Sequence, residues 1–346
     1  MNLGQEADLE ALAGHPVWKD ACRLRRDIWG RKVFLRGIVE FSNYCVQNCL
    51  YCGLRRDNAC VERYRLGPDD VFACAAQVKK LGFGTVVLQS GEDPDYHADT
   101  LARLVARIKK DLDLAVTLSV GERGRADFAL WRNAGADRYL LKAETMNPAL
   151  YARLRPGKQL AARLEALSML SELGYEVGSG LIAGLPGDTH CAHGPEQEAD
   201  DATDQSIAAL AAFAPDMFSI SPFQPHPDTP LGKQSACSVA HTLRCMALAR
   251  VSLPHTHIPV TSALSLAGEA TRLIALEVGD VLMPSLTPEA VRAAYAIYPG
   301  KNASQDEPVD RALAMKASVL DAGFEVPKGP GGAWRGPVCM NAEEKP

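Results

Sequence analysis

The chain has 346 residues, 47% of them hydrophobic and 23% charged, which is enough to bury a large core and too apolar for a disordered segment. Lys and Arg number 37 against 42 Asp and Glu, a net charge of -5, and no basic block marks a nucleic-acid footprint. The first 30 residues do not read as a secretory signal, and no run of 18 apolar residues reads as a membrane span.

Taken in order, residues 1–32 read as helices packed outside the main fold. From 33 onward a local grammar repeats: an amphipathic helix, a glycine near its end, then a short apolar strand. It occurs around Gly82, Gly135, Gly174 and Gly279. Strands are expected near 33–41, 85–90, 114–119, 137–142, 175–182, 216–220, 257–262 and 280–283. Between them Leu101, Leu104, Val105 and Ile108, and likewise Leu160, Leu164 and Leu167, recur at helical spacing and read as core. Eight strands alternating with helices predict an α/β fold, a complete (β/α)8 TIM-type barrel over 33–300 in a single domain, with a C-terminal helix and tail over 301–346. Alternation alone also permits an open sheet. The polar stretch 188–205 reads as a surface insertion, and its His190, Cys191 and His193 are more often incidental than metal ligands.

Chemistry-bearing residues gather just after the expected strands. Cys45, Cys49 and Cys52 follow the first, Gln89, Ser90, Gly91 and Glu92 the second, Ser119 to Glu122 the third, and Lys142 and Glu144 the fourth. In a barrel all of these converge on one rim. Three thiols on one short loop hold three irons of a cubane and leave the fourth without a protein ligand. A structural zinc site wants a fourth ligand, and no second cysteine pair follows. The remaining cysteines, Cys22, Cys60, Cys74, Cys191, Cys237, Cys245 and Cys339, lack ligand spacing and default to buried or incidental thiols. Ten cysteines without a disulfide framework suit a reducing cytoplasm, and an exposed cubane suits an anaerobic one.

The run FSNYCVQNCLYCGLRR resembles the C-x-x-x-C-x-x-C signature of the radical S-adenosylmethionine (SAM) superfamily. The longer phrases VVLQSGEDP, GLIAGLPG, SPFQPHPDTPL and TPEAVRAAYAIYPGK, in that order, are similar to the HydE family of iron-iron hydrogenase maturases, relatives of biotin synthase and methylornithine synthase. The resemblance covers about 33–301 and implies one 4Fe-4S cluster, SAM bound to the open iron, and a complete barrel. It implies that Gln89 to Glu92 receive the methionine amino group and that Tyr51 packs near the adenine, although Tyr51 also suits plain loop packing. Glu144 is placed to accept ribose hydroxyls, or alternatively to cap the next helix. Arg163 could pair with the SAM carboxylate, or be an ordinary helix-surface arginine. Lys142 joins the cofactor set.

The family substrate is a small iron complex carrying cysteine, two carbon monoxides and a cyanide, supplied by HydG, its product passing to HydF. A ferredoxin- or flavodoxin-type protein is the expected electron donor. Thr117, Ser119, Thr261, Ser262, Met283 and Tyr295, with Gln89, match substrate positions, though each small hydroxyl also suits barrel filling. Tyr295 is the strongest of these and a catalytic candidate beside the three cysteines, because a buried phenol needs a partner. Lys142-Ala143 and Leu264-Ser265-Leu266 depart from the family at strand ends expected to face the cavity, which leaves a HydE-like paralogue or a methylornithine-synthase-like mutase as the alternative. A non-catalytic iron-sulfur carrier is a further alternative, disfavoured by the nucleoside-binding set. No cysteine follows YPGK, so no second cluster is expected.

Overall fold

The computed structural model describes residues 3–187 and 196–333. Its strands are β1 (Phe34–Leu35), β2 (Gly37–Ser42), β3 (Thr85–Ser90), β4 (Ala115–Ser119), β5 (Arg138–Leu140), β6 (Glu176–Ala183), β7 (Met217–Pro222) and β8 (Val281–Leu282). β2 to β7 form a six-stranded parallel sheet in chain order, and β1 pairs with β8 in a second, two-stranded ladder. Helices lie between successive strands of the larger sheet, the right grammar for an α/β fold.

Eight full strands are not what forms, and two prolines give the reason. Residues 257–262, expected as a strand, carry only the isolated bridges Met217–His257, Ile220–Val260 and Pro259–Val281. Pro259 has no N–H to donate and so interrupts a ladder there. Similarly the first expected strand divides at Arg36: Arg36 N–H still donates to Leu282 O (2.9 Å), but the partner segment then reaches Pro284, and pairing dwindles to an isolated Ile38–Ser285 bridge.

Strand side chains alternate between two destinations. Val39, Phe41, Val86, Leu88, Val116 and Leu118 are buried in the main apolar core under the helices. Their neighbours Glu40, Gln89, Thr117, Ser119, Ser219 and Ser221 occupy the other face, and Gln89 and Ser119 sit at one level in register. The polar set is therefore not misplaced core but the lining of an interior.

Proline at the first helical turn starts the helices Pro16–Trp29, Pro68–Lys80, Pro148–Leu154 and Pro308–Asp321, where its missing N–H costs nothing. Gly82, Gly135 and Gly174 have φ of 76°, 104° and 81°, the left-handed closures the sequence predicts. Gly279 is different: its φ is not positive, and a Cβ would lie 2.9 Å from Ile258 O, so close packing is what requires glycine there. The Leu101, Leu104, Val105 and Ile108 stripe is core, as read.

Two details add to the surface insertion and the C-terminal tail expected from the sequence. A helix, Glu196–Ala211, takes up much of the polar stretch, while His190, Cys191 and His193 lie outside the described residues. After the last helix the chain passes beneath the amino ends of the strands. Thr85 Oγ1 donates to Pro330 O (2.7 Å), Arg36 Nη2 to Gly331 O (3.0 Å), and Glu176 accepts from Ala333 N–H (3.1 Å). No helix among the described residues is long and apolar enough to cross a membrane.

Gly180 in β6 lets two strands approach: a Cβ there would lie 2.0 Å from Ser219 O. Gly180→Ala is expected to destabilise by about 1–3 kcal/mol, read as a lower denaturation midpoint at unchanged slope in urea.

Candidate functional site

The loop after β2 has no ladder of its own, so side chains from elsewhere fix it. Asn43 donates to Glu62 O (2.8 Å) and Ala294 O (2.9 Å) and accepts from Tyr64 N–H (2.7 Å). Arg63 spreads its donors over Asn43 O (2.6 Å), Leu54 O (2.9 Å) and Arg55 O (2.8 Å). Leu50 N–H reaches Leu154 O (2.9 Å) and Gly53 N–H reaches Ile297 O (3.0 Å), tying the loop to two distant segments. The Gln89–Glu92 turn closes the other side: Gly91 N–H donates to Ser42 O (3.0 Å) and Val46 N–H to Glu92 O (3.0 Å). A Cβ on Gly91 would lie 2.1 Å from Tyr44 O, so this position admits only glycine without moving the thiol loop.

Cys45, Cys49 and Cys52, all free thiols, line one cavity of about 300 Å3 at the carboxyl ends of the strands. Tyr51, Gln89, Ser90, Gly91, Glu92, Lys142, Glu144 and Arg163 line it too. So do Ser119, Thr261, Ser262, Met283 and Tyr295. The expected convergence of strand ends is met for the three thiols, Gln89 to Glu92, Ser119, Lys142 and Glu144. Among the described residues no three Cys, His, Asp or Glu side chains are arranged to hold a single metal ion. Three thiols in a cavity that, among the described residues, no histidine or fourth cysteine lines suit an iron-sulfur centre better than a four-ligand zinc site. Burial pushes all three thiols up, a penalty that a cationic centre removes by binding the thiolate. The donor set therefore fits an iron-sulfur cluster and disfavours a zinc knuckle.

Carboxylates and cations alternate around the mouth. Glu92 accepts from Gln47 Nε2 (2.5 Å) and lies 3.3 Å from Arg155 Nη2. Glu122 draws in Arg163 Nε (2.8 Å), Lys158 Nζ (2.9 Å) and, at 3.8 Å, Arg155 Nη1. Lys142 Nζ sits between Ser221 Oγ (3.2 Å) and Glu144 Oε2 (3.3 Å). Glu144 has φ of 68°, left-handed for a residue with a side chain, and is held there by Glu144 N–H to Gly180 O and Ile182 N–H to Glu144 O. Strain of this kind, over-determined by its neighbours, is characteristic of ligand-binding positions.

Deeper in, Glu40 is fully buried at 0% exposure and accepts from Lys301 Nζ (2.8 Å), Ser285 Oγ (2.6 Å) and Thr287 Oγ1. Burial works against its charge, but the ammonium and the hydroxyls hold the carboxyl below its ordinary range. Tyr298 pairs its hydroxyl with Ser262 Oγ. Tyr295 is buried, which pushes its phenol up, and no hydrogen bond of its hydroxyl forms among the described residues.

Several expectations need correcting. Thr117 does not reach this cavity: it pairs in register with Arg138, one layer nearer the amino ends, and lines a separate void of about 10 Å3 with Arg36 and His257. Thr261 spends its hydroxyl capping the turn Ser262–Ser265. Ala143 and Leu264 are buried in core and Leu266 is 48% exposed, so of the five family departures only Lys142 faces the cavity. Arg163 is a buried partner of Glu122 and not a helix-surface residue.

Arg155, Gln47, Ser221, Tyr298 and Lys301 were not singled out from sequence. For Arg155 a signal existed. Pro156 forces the preceding residue out of helical geometry, to φ -125° and ψ 78°, which turns Arg155 off the end of Pro148–Leu154 and into the site.

Two expectations follow from the geometry. Lys301→Met strands Glu40 in the interior and costs about 3–5 kcal/mol, seen as a fall in thermal midpoint; an unchanged midpoint contradicts the pair's role. Ser42 and Arg65 both bond the buried Asp93, and although burial works against its charge they hold its carboxyl below the ordinary range. The stability this contributes is present above the unfolded-state carboxyl value and is lost as pH falls through the folded one. Arg65→Met therefore moves acid unfolding to higher pH, measured by circular dichroism.

The radical SAM superfamily description matches residues 39–192, the span carrying the three thiols, Glu92 and Glu144. Over 286 residues the chain is 45% identical to the FeFe-hydrogenase maturase subunit HydE of Thermotoga maritima, covering 82% of this chain and 79% of that protein. Over 290 residues it is 28% identical to 3-methylornithine synthase of Methanosarcina acetivorans, covering 83% and 77%. A crystal structure of methylornithine synthase superposes with a TM-score of 0.78 at 25% identity, over 90% of this chain and 88% of that one.

Proposed function

The chain belongs to the HydE family of radical SAM enzymes, and from that premise we propose that it processes a small iron complex during assembly of the iron-iron hydrogenase cofactor. The observation that carries this reading is the sharing of one cavity of about 300 Å3 by three free thiols, two carboxylates and several further polar side chains. Family membership supplies SAM and an iron-sulfur cluster; we infer one 4Fe-4S cluster, on Cys45, Cys49 and Cys52.

When bound, such a cluster supplies the electron that splits the SAM sulfonium into methionine and a 5'-deoxyadenosyl radical. The chain's own residues bind and orient. Glu92, fixed by Gln47 and Arg155, accepts from the methionine ammonium beside the Gly91 backbone. Arg163, already turned inward by Glu122, presents its fork to the carboxylate. Glu144 takes the ribose hydroxyls, and Tyr51 packs on the adenine. Ile38, Leu140, Ile182 and Ile297 keep water from the nucleoside.

Beyond the nucleoside, Gln89, Ser119, Ser262 and Met283 form the substrate chamber, with Thr261 at its edge. The free Tyr295 hydroxyl is the donor best placed for a cyanide or carboxylate, and Lys142 adds a positive charge. The cysteine-bearing iron dicarbonyl cyanide, supplied by HydG and passed on toward HydF, matches such a chamber in charge and donor demand. The isolated bridges Ile220–Val260, Pro259–Val281 and Ile38–Ser285 support reading the sheet as a closed (β/α)8 cylinder. A reducing, anaerobic cytoplasm and a ferredoxin- or flavodoxin-type donor complete the proposal.

Anaerobic reconstitution with iron and sulfide, followed by dithionite and SAM, is expected to yield 5'-deoxyadenosine, and Cys49→Ala to yield none. Normal cleavage by that variant removes the ligand assignment. Complementation of a strain lacking HydE, scored as hydrogenase activity, tests the substrate. Failure at normal cluster content turns the reading to a paralogue acting on another small molecule, the outcome that Lys142 favours.

A further inference from the structure

One buried cation at the site, Arg155, braces Glu92 and still has a donor to spare. Arg155 is 5% exposed. Its Nη1 donates to Tyr151 Oη (2.7 Å) and its Nη2 lies 3.3 Å from Glu92, but its Nε–H has no acceptor among the described residues. Arg155 and Cys49 line the same cavity. A backbone hydrogen bond ties their two segments together. Leu50 N–H, one residue after Cys49, donates to the carbonyl of Leu154, one residue before Arg155.

Nor do the surrounding carboxylates cancel its charge. Arg155, Lys158 and Arg163 share Glu92 and Glu122, three cations against two anions, while Glu144 has Lys142 as its own partner. An arginine stays protonated throughout. One positive charge and one unspent donor therefore remain in the cavity that the three thiols line.

We propose that Arg155 is a positioning residue for electron entry: its charge and its spare Nε–H act on the Cys49 sulfur once that sulfur is an iron ligand, and make the bound cluster easier to reduce. Reduction adds negative charge to the cluster and its sulfurs, so a fixed cation and donor stabilise the reduced form more than the oxidised one. A hydrogen bond to a charged group commonly changes an equilibrium constant about tenfold. For a one-electron couple that is about 59 mV. The inference rests on the cluster assignment of the previous subsection.

The test is a dye-mediated redox titration of reconstituted protein without SAM, followed by electron paramagnetic resonance of the reduced cluster, for the wild type, Arg155→Gln and Arg155→Lys. Arg155→Gln is expected to make reduction about tenfold less favourable, a shift of about 59 mV to more negative potential. Arg155→Lys keeps the charge but loses the Nε donor, and is expected to shift in the same direction by less. An unshifted Arg155→Gln at full iron content overturns the proposal, as does a shift that appears only with SAM present, which makes Arg155 a SAM ligand instead. Should Arg155→Gln fail to fold or load, Arg155→Lys decides alone, and no shift in it overturns the proposal. A wild type that binds no four-iron cluster defeats the cluster assignment itself, a different result.

Discussion

Three thiols on an irregular loop can serve one centre only if that loop has a single shape, and everything else at this end of the molecule bears on that constraint. A strand would supply a ladder to hold it; this loop has none. Its shape comes instead from Asn43 and Arg63, which spend almost all of their donors on loop carbonyls, and from Gly91, whose missing side chain leaves room for Tyr44. The anchors come from segments after β2, after β3, at Leu154 and at Ile297. A loop tied to so many distant points is rigid only when the whole sheet is assembled, so the site and the fold are formed together.

The sheet supplies what the loop cannot, a level floor for the ligand. Because the strands are parallel and in register, residues at equivalent positions reach the same height: Glu40 pairs with Gln89 and Gln89 with Ser119. Their outward neighbours are apolar and lie beneath helices. Burying so many polar side chains inward is costly unless each has a partner. Glu40 has Lys301, Ser285 and Thr287, and Lys142 has Glu144 and Ser221. Glu144 Oε2 and the Arg155 Nε–H line the cavity without a hydrogen-bond partner among the described residues, which is what a group awaiting a ligand looks like.

What the sequence made legible was local. Cysteine spacing, glycine closures at Gly82, Gly135 and Gly174, and period-two alternation are each set by neighbours in the chain, and the structure bears them out. Long-range pairing was not legible. Glu122 is placed at the rim by its position after the third expected strand, but nothing near it in the chain shows that it gathers three cations from a helix and turn that follow much later. Thr117 has the correct parity and the wrong height, since alternation fixes a face and says nothing of depth. Leu264 and Leu266 were misread for a related reason. Thr261 caps a helical turn there, and a turn sends its side chains around a cylinder, one to the core and one to solvent, where a strand would have sent them inward.

The two ends of the sheet are built for opposite purposes. At the amino ends Pro330 to Ala333 cross beneath the strands, and the void above them is about 10 Å3, room for about one water. Gly84 makes the crossing possible, since a Cβ there would lie 1.9 Å from Gly329 O. At the carboxyl ends the space is about 300 Å3 and its walls carry the thiols. Arg138 and Arg155 show the contrast within one residue type. Arg138 spends its donors on Glu176, Thr85 and Pro330 and braces the floor, whereas Arg155 keeps its Nε–H in reserve at the rim. A guanidinium with all its donors engaged stabilises a fold, and one with a donor left over in a cavity has a bond to offer what binds there.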